Sequence, residues 1–303
     1  MDGQKEGAAE FRSAAPSYWP ILSGLLAASI WGGMYVVSDV VLEYIPPFTL
    51  LLLRLLLGIL TWGLILLARR DRVGWRRMGA VLLTGFIGYG VSLGLQFVGT
   101  DLSTAANGAL ITTTTPVFVA LFGVWILGER LSRRRLAALG LAAVGVVLVL
   151  DPSSADLSSE TTLGDLALLG AGLTWGLYSV LVRRDAGRGI ELPVMTFVLL
   201  FGGLPLAVPL AVSENPGSLA IAWTPALVLG VLYLGIVSTA AAMYLWNYAF
   251  AHLPATTAGL AFFAQPVVGV GLSALLLGEQ PDAAFLLGGL LIGLGVWIAI
   301  REK

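Results

Sequence analysis

The chain has 303 residues, 57% of them hydrophobic and only 12% charged, with a mean hydropathy of +0.90 and a formal net charge of −1. Soluble domains carry roughly a quarter charged residues, so a water-soluble fold is excluded, and basic residues confined to short loops give nucleic acid no continuous patch. The absence of cysteine removes disulfides, thiolate catalysis and thiolate metal sites, and a single histidine leaves no metal cluster and calls for no cofactor.

Residues 1–18 mix charges with small polar residues, lack the basic-then-apolar order of a signal peptide, and read as a disordered cytoplasmic tail. Apolar runs near the roughly 20 residues that cross a hydrocarbon core follow at 20–42, 47–68, 78–99, 103–127 and 135–150. The stretch 151–163 is rich in Ser, Asp and Pro and forms an extracytoplasmic linker. Five more spans follow at 164–183, 191–212, 223–250, 255–277 and 282–300. The fold class is therefore all-α integral membrane, with ten transmembrane helices in two halves, 19–150 and 164–303. Of the 17 Lys and Arg residues, all but Arg54 fall in the tails or in the loops 69–77, 130–135 and 183–188, on one side of this topology. The positive-inside rule then places both termini in the cytoplasm.

The halves echo each other. Leu127-Gly128-Glu129 recurs as Leu277-Gly278-Glu279, and the same shift of 150 residues carries Pro116 onto Pro266 and Gly145-Val146 onto Gly295-Val296. Trp31-Gly32 and Trp175-Gly176 match near the starts of the halves. Five helices is an odd number, so the second unit enters the membrane from the opposite side, giving the inverted repeats from which many secondary transporters are built.

Thr115-Pro116 through Leu127-Gly128-Glu129-Arg130, the mirrored Gln265-Pro266 through Leu277-Gly278-Glu279, and Tyr244-Leu245-Trp246-Asn247-Tyr248-Ala249 resemble the drug/metabolite transporter superfamily, specifically its EamA-type ten-helix members. Within it the chain looks most like YddG-like amino-acid exporters. The resemblance covers nearly the whole chain and implies a bacterial-type inner-membrane exporter of a small organic metabolite, a neutral or aromatic amino acid foremost. Nucleobases or quaternary-ammonium drugs are the alternative cargo. A channel or a non-transporting scaffold is the alternative class, and the chain is not read as an enzyme. Oligomeric state is not legible, and a monomer suffices.

Pro116 and Pro266 fall near the middle of their spans, where each removes a backbone donor and breaks the helix. Such a break needs internal partners or a water-filled cavity, and Thr114 or Thr115 is placed to cap the half-helix that Pro116 begins. Polar and aromatic residues recur at helical spacing: Trp31, Tyr35 and Ser38; Tyr89, Ser92 and Gln96; Trp175, Tyr178 and Ser179; Tyr244, Asn247 and Tyr248. With Asn107 and Gln265 they predict an aromatic-walled central cavity bearing hydrogen-bonding groups and little charge, since lipid cannot pair with such side chains. An interfacial belt or core packing is the alternative for any single Trp or Tyr, and interhelical bonding is the alternative for the amides.

Arg54 is the one basic residue inside a span, a placement that costs roughly 2.5–3.5 kcal/mol at a helix centre. Structural pairing with Asp39, or with Glu43 nearer the surface, is expected. Glu129 and Glu279 follow Leu-Gly at the membrane edge and are expected to bond the backbone of their own tight turns. Without an acidic residue at the centre of any span, facilitated diffusion or weakly coupled exchange is expected. The glycine pairs Gly90/Gly94, Gly172/Gly176 and Gly289/Gly293 predict close helix packing.

Overall fold

A computed structural model describes residues 18–75, 78–103, 111–150, 161–214, 221–277 and 283–301, and among them every regular element is helical. In chain order these are α1 (Trp19–Leu42), α2 (Pro47–Arg69), α3 (Gly79–Leu102), α4 (Thr115–Leu127) and α5 (Arg133–Leu150). Then come α6 (Thr162–Ala186), α7 (Leu192–Ser213), α8 (Pro225–His252), α9 and α10 (Ala283–Ile300). Helix α9 is built from Ala255–Gly259, a 3₁₀ turn at Leu260–Phe263, and Ala264–Leu277.

Helices α2, α3, α6, α7 and α8 are long and apolar enough to cross a membrane, and α1, α4 and α10 carry shorter apolar stretches. The exterior is greasy, with Trp125 80%, Leu67 74% and Leu229 66% exposed, while Arg54, Asp185 and Asn247 are wholly buried. That reversal of the soluble pattern fits a lipid surround, where polar groups turn inward. The chain is a multi-pass membrane protein.

The expected breaks are present at both prolines, with altered local chemistry. Thr113 and Thr114 form a turn before α4, but the Thr114 hydroxyl donates back to the Ile111 carbonyl at 2.7 Å and makes no cap to α4. Ahead of Pro266 the helix tightens into the 3₁₀ turn, a common response where the regular ladder is interrupted. The tail 1–17, most of the linker, Asn107 and Glu279 lie outside the described residues, as do the side chains of Tyr35 and Asp39.

Helices α3 and α8 each contain a π-helical stretch, Phe86–Ser92 and Tyr233–Ala241. In π geometry each N–H reaches five residues back, so carbonyls are left over for other donors. The carbonyls of Ser238 and Ala240 accept from the indoles of Trp31 and Trp62 at 3.0 and 2.9 Å, tying α1 and α2 to α8.

Two repeat-matched glycines each admit the opposite helix where α5 and α10 cross. A Cβ on Gly145 would come within 2.6 Å of the Gly288 carbonyl oxygen, and one on Gly295 within 2.7 Å of the Ala138 carbonyl oxygen. Gly289 and Gly293 do not pack in this way. A Cβ there would meet only Val267 at 3.9 Å and nothing, respectively, because both residues line a lateral groove between α1, α9 and α10.

Glutamates bind the two ends of the bundle. Glu129 does not serve its own turn, which Gly128 closes in the left-handed conformation (φ 67°). Its carboxylate instead reaches α9, accepting from the amides of Ala255 (2.6 Å) and Thr256 (3.2 Å) and from the Thr256 hydroxyl (3.1 Å). Arg183 of α6 stands 3.5 Å away. At the far end Glu214 accepts from the amides of Phe48 (2.9 Å) and Thr49 (2.7 Å) and from the Thr49 hydroxyl (2.8 Å) at the start of α2. Both satisfy orphan donors of a helix N-terminus, and the 22-residue α7, about 33 Å long at 1.5 Å per residue, separates the two ends.

Candidate functional site

A small, mostly apolar cavity lies among α1, α3, α4, α6, α8 and α9. Trp31 and Met34 of α1 face Trp175 and Gly172 of α6 across it. Ser92, Leu93 and Gln96 of α3, with Met243, Phe262 and Gln265 of α8 and α9, complete the walls, and Thr112 and Thr115 enter at the break before α4. No lining residue carries a formal charge.

The sequence dictates this placement. In each Trp-Gly pair the indole turns to the cavity while the glycine admits a neighbouring backbone. A Cβ on Gly32 would fall 2.7 Å from the Gln265 carbonyl oxygen, and one on Gly176 3.1 Å from the Val119 amide. The aromatic wall is thereby fixed. Trp31 meets Trp175 edge-on at 5.4 Å between ring centroids and Trp246 at 5.3 Å, with Phe262 5.7 Å from Trp246. The Trp246 indole donates to Ser179 at 3.0 Å.

Three buried polar atoms of lining residues have no protein partner: the Trp175 indole nitrogen, the Gln265 amide oxygen and the Thr115 hydroxyl. They amount to one donor, one acceptor and one group that is both. A buried polar group left unpaired costs about 1–3 kcal/mol, which a ligand or water in the cavity offsets.

Tyr89, Tyr178 and Asn247, predicted for the cavity, form a closed cluster beside it. The Tyr178 ring stacks on Trp175 at 4.7 Å, and its hydroxyl lies 2.5 Å from Asn247 Oδ1 and 2.7 Å from the Tyr89 hydroxyl. Because Oδ1 only accepts, Tyr178 donates to Asn247 and accepts from Tyr89. Asn247 Nδ2 then donates to Tyr89 (3.3 Å) and to Thr196 (3.2 Å). These groups satisfy one another and offer nothing further to a ligand. Gly88 makes the room, since a Cβ there would sit 2.2 Å from the Tyr178 ring.

Of the residues singled out in the sequence, Gln96, Gln265, Trp31, Trp175 and Ser92 line the cavity. Tyr244 does not. It stacks on Trp62 at 4.8 Å, on the α2 side of α8. Thr114 is held by Ile111, and Thr112 and Thr115 take its expected place. Met34, Met243 and Phe262 also line the cavity and carry no polar signal in the sequence, although Met34 lies three residues after Trp31 on the same face.

Arg54 is fully buried, with Nε donating to Thr239 (2.9 Å) and Nη2 to Ser238 (3.4 Å), and its guanidinium carbon lies 5.2 Å from the Phe97 ring centroid. Glu43 is exposed and does not pair with it, so the expected ion pair with Glu43 is replaced by hydroxyl contacts to the π stretch of α8. Among the described residues no cluster of three or more His, Asp or Glu could hold a metal ion.

The model of the EamA-like transporter family matches the chain twice, over residues 18–151 and 162–301. An uncharacterized transporter of Archaeoglobus fulgidus is 27% identical over 92% of this chain and 96% of its own length. A probable amino-acid metabolite efflux pump of Salmonella typhimurium is 26% identical over 91% of this chain and 93% of its own. A solved crystal structure, 24% identical, superposes with a TM-score of 0.74 over 92% of this chain and 96% of that one, which shows a shared fold. With both matches covering most of the chain, this protein belongs to the EamA-like transporter family of the drug/metabolite transporter superfamily.

Proposed function

We propose that this chain is a carrier that exports a small organic metabolite, a neutral or aromatic amino acid foremost, through the aromatic cavity. Export proceeds by alternating access between two inverted five-helix repeats. In this reading the ten helices span a bacterial-type inner membrane with both termini in the cytoplasm, and 19–150 and 164–303 are the repeats. The observation that carries it is the set of unpaired polar atoms of Trp175, Gln265 and Thr115 at an otherwise apolar cavity. A few placed polar groups on an aromatic wall are the makings of a small-molecule site. The double family match and the efflux-pump relative support the same reading.

The test is uptake of radiolabelled neutral amino acids into liposomes holding the purified protein, against empty liposomes. Saturable flux is expected, with Gln265→Leu and Trp175→Phe each reducing it about tenfold, as the loss of one needed hydrogen bond does. Flux equal to that of empty liposomes for every amino acid would sink the proposal. The three rings of Trp31, Trp175 and Phe262 on the cavity wall favour one second reading, an organic cation held by ring faces.

A further inference from the structure

Arg54 presents an electrostatic imbalance. It is enclosed on all sides, yet among the described residues no carboxylate pairs with it, and its contacts are two neutral hydroxyls and the face of Phe97. A guanidinium has five N–H donors, and among the described residues Nη1 has no partner. Stripping water from an ion costs several kcal/mol, and neutral groups recover that only in part. A residue serving packing alone is better replaced by a neutral one of the same shape.

The position of Arg54 gives the charge a use. Ser238 joins it to the cavity wall, because the Ser238 hydroxyl accepts from Arg54 while its carbonyl accepts from the Trp31 indole. Phe97, under the guanidinium, directly follows Gln96 of the opposite wall. Ser38, one turn beyond Met34 on α1, is also buried with its hydroxyl unpartnered. Behind an uncharged cavity there thus stands a cation with one unpaired nitrogen, next to the wall formed by Trp31 and Gln96. Arginine's planar fork matches a carboxylate in a way that a hydroxyl or an amide does not.

We propose that Arg54 receives the carboxylate of the transported molecule, so that this chain carries carboxylate-bearing metabolites, amino acids among them, and rejects organic cations and uncharged bases. The proposal rests on the carrier reading above and narrows it. A swing of Trp31 away from the Ser238 carbonyl, which breaks a single bond of 3.0 Å, is the movement that would open a way from the cavity toward Ser238 and Arg54. The ring wall then holds the apolar part of the cargo while Arg54 holds its charge.

The test uses a matched series, phenylalanine, phenylalaninamide and phenethylamine, with flux measured in proteoliposomes and binding measured by quenching of tryptophan fluorescence in detergent. Wild type is expected to favour the acid over the amide by about tenfold or more, the discrimination shown by sites built to pair a specific group. Arg54→Gln should bring the ratio near one, and Arg54→Lys should keep part of it. If Arg54→Gln fails to fold, the wild-type ratio alone decides. Equal flux of acid and amide in wild type overturns the proposal. So does restoration of wild-type flux by Arg54→Asp combined with Asp39→Arg, which would mark an internal ion pair. Quenching that follows chloride against gluconate and ignores phenylalanine would assign the charge to an inorganic anion and also overturns it. No flux with acid-selective quenching would sink the carrier reading and leave the carboxylate site standing, whereas no response in either assay removes both.

Discussion

Glu129 and Glu214 bind helix starts with the same donor set, the amide after a proline and the amide and hydroxyl of the threonine that follows. Their surroundings differ. Glu129 also faces Arg183, and Arg183 donates to the Phe250 carbonyl near the end of α8 at 3.2 Å, so one carboxylate gathers the ends of α4, α6 and α8 with the start of α9. Glu214 joins only the end of α7 to the start of α2. A latch that ties four elements cannot open by moving one of them, whereas the Glu214 latch can. The cavity between them is therefore expected to open more readily at the Glu214 end.

The sharpest way to break this comparison is Glu129→Ala, which strands two amides and leaves Arg183 without its carboxylate. A loss of about 3 kcal/mol is expected from denaturant or thermal melts in detergent. Glu214→Ala strands only the amides at the start of α2, and about 1.5 kcal/mol is expected, in the range of a lost helix cap. Equal losses would mean that the additional contacts of Glu129 contribute nothing. A third experiment exploits the absence of cysteine, because Gln96→Cys then reports alone. Glu214→Ala should raise labelling of that cysteine by a membrane-impermeant thiol reagent about tenfold, the consequence of about 1.4 kcal/mol of easier opening. Labelling that rises more in Glu129→Ala would reverse the assignment. The smallest effect is expected from Arg183→Gln, under about 1 kcal/mol, because the pair is 3.5 Å apart and Arg183 is partly exposed. A larger loss would show that the arginine, and not the amides, dominates the latch.

The latches also mark how far the sequence was legible. Repetition of Leu-Gly-Glu pointed to Glu129 as a structural residue, but its partner lies 126 positions away in α9, and no local pattern carries that distance. Glu214 had no repeat to flag it. Helix positions and the two proline breaks were readable because hydropathy and the missing proline donor act locally. Trp31, Trp175, Gln96 and Gln265, which line the cavity, are legible in the sequence because polar and aromatic residues stand out in an apolar helix. Tyr244 lies outside the cavity lining, and nothing in the sequence around it signals that. The stripe Tyr244, Asn247 and Tyr248 lies wholly in the regular turns after the π stretch, and spacing along one helix does not say which neighbour a face meets; Tyr244 meets Trp62 of α2.

The wide turns of the two π stretches have a mechanical consequence. They fall on α3 and α8, the third helix of each segment matched by the family model, and both helices contribute to the cavity wall. One residue of an α-helix corresponds to about 100° of rotation. A helix that takes up or releases one residue's worth of slack in a π stretch can therefore turn its far half about its own axis, as a screw does, while its near half stays fixed. In α8 that far half carries Met243, Trp246 and Asn247, so a change of winding at Tyr233–Ala241 would re-aim the wall and the polar cluster together without unfolding a turn.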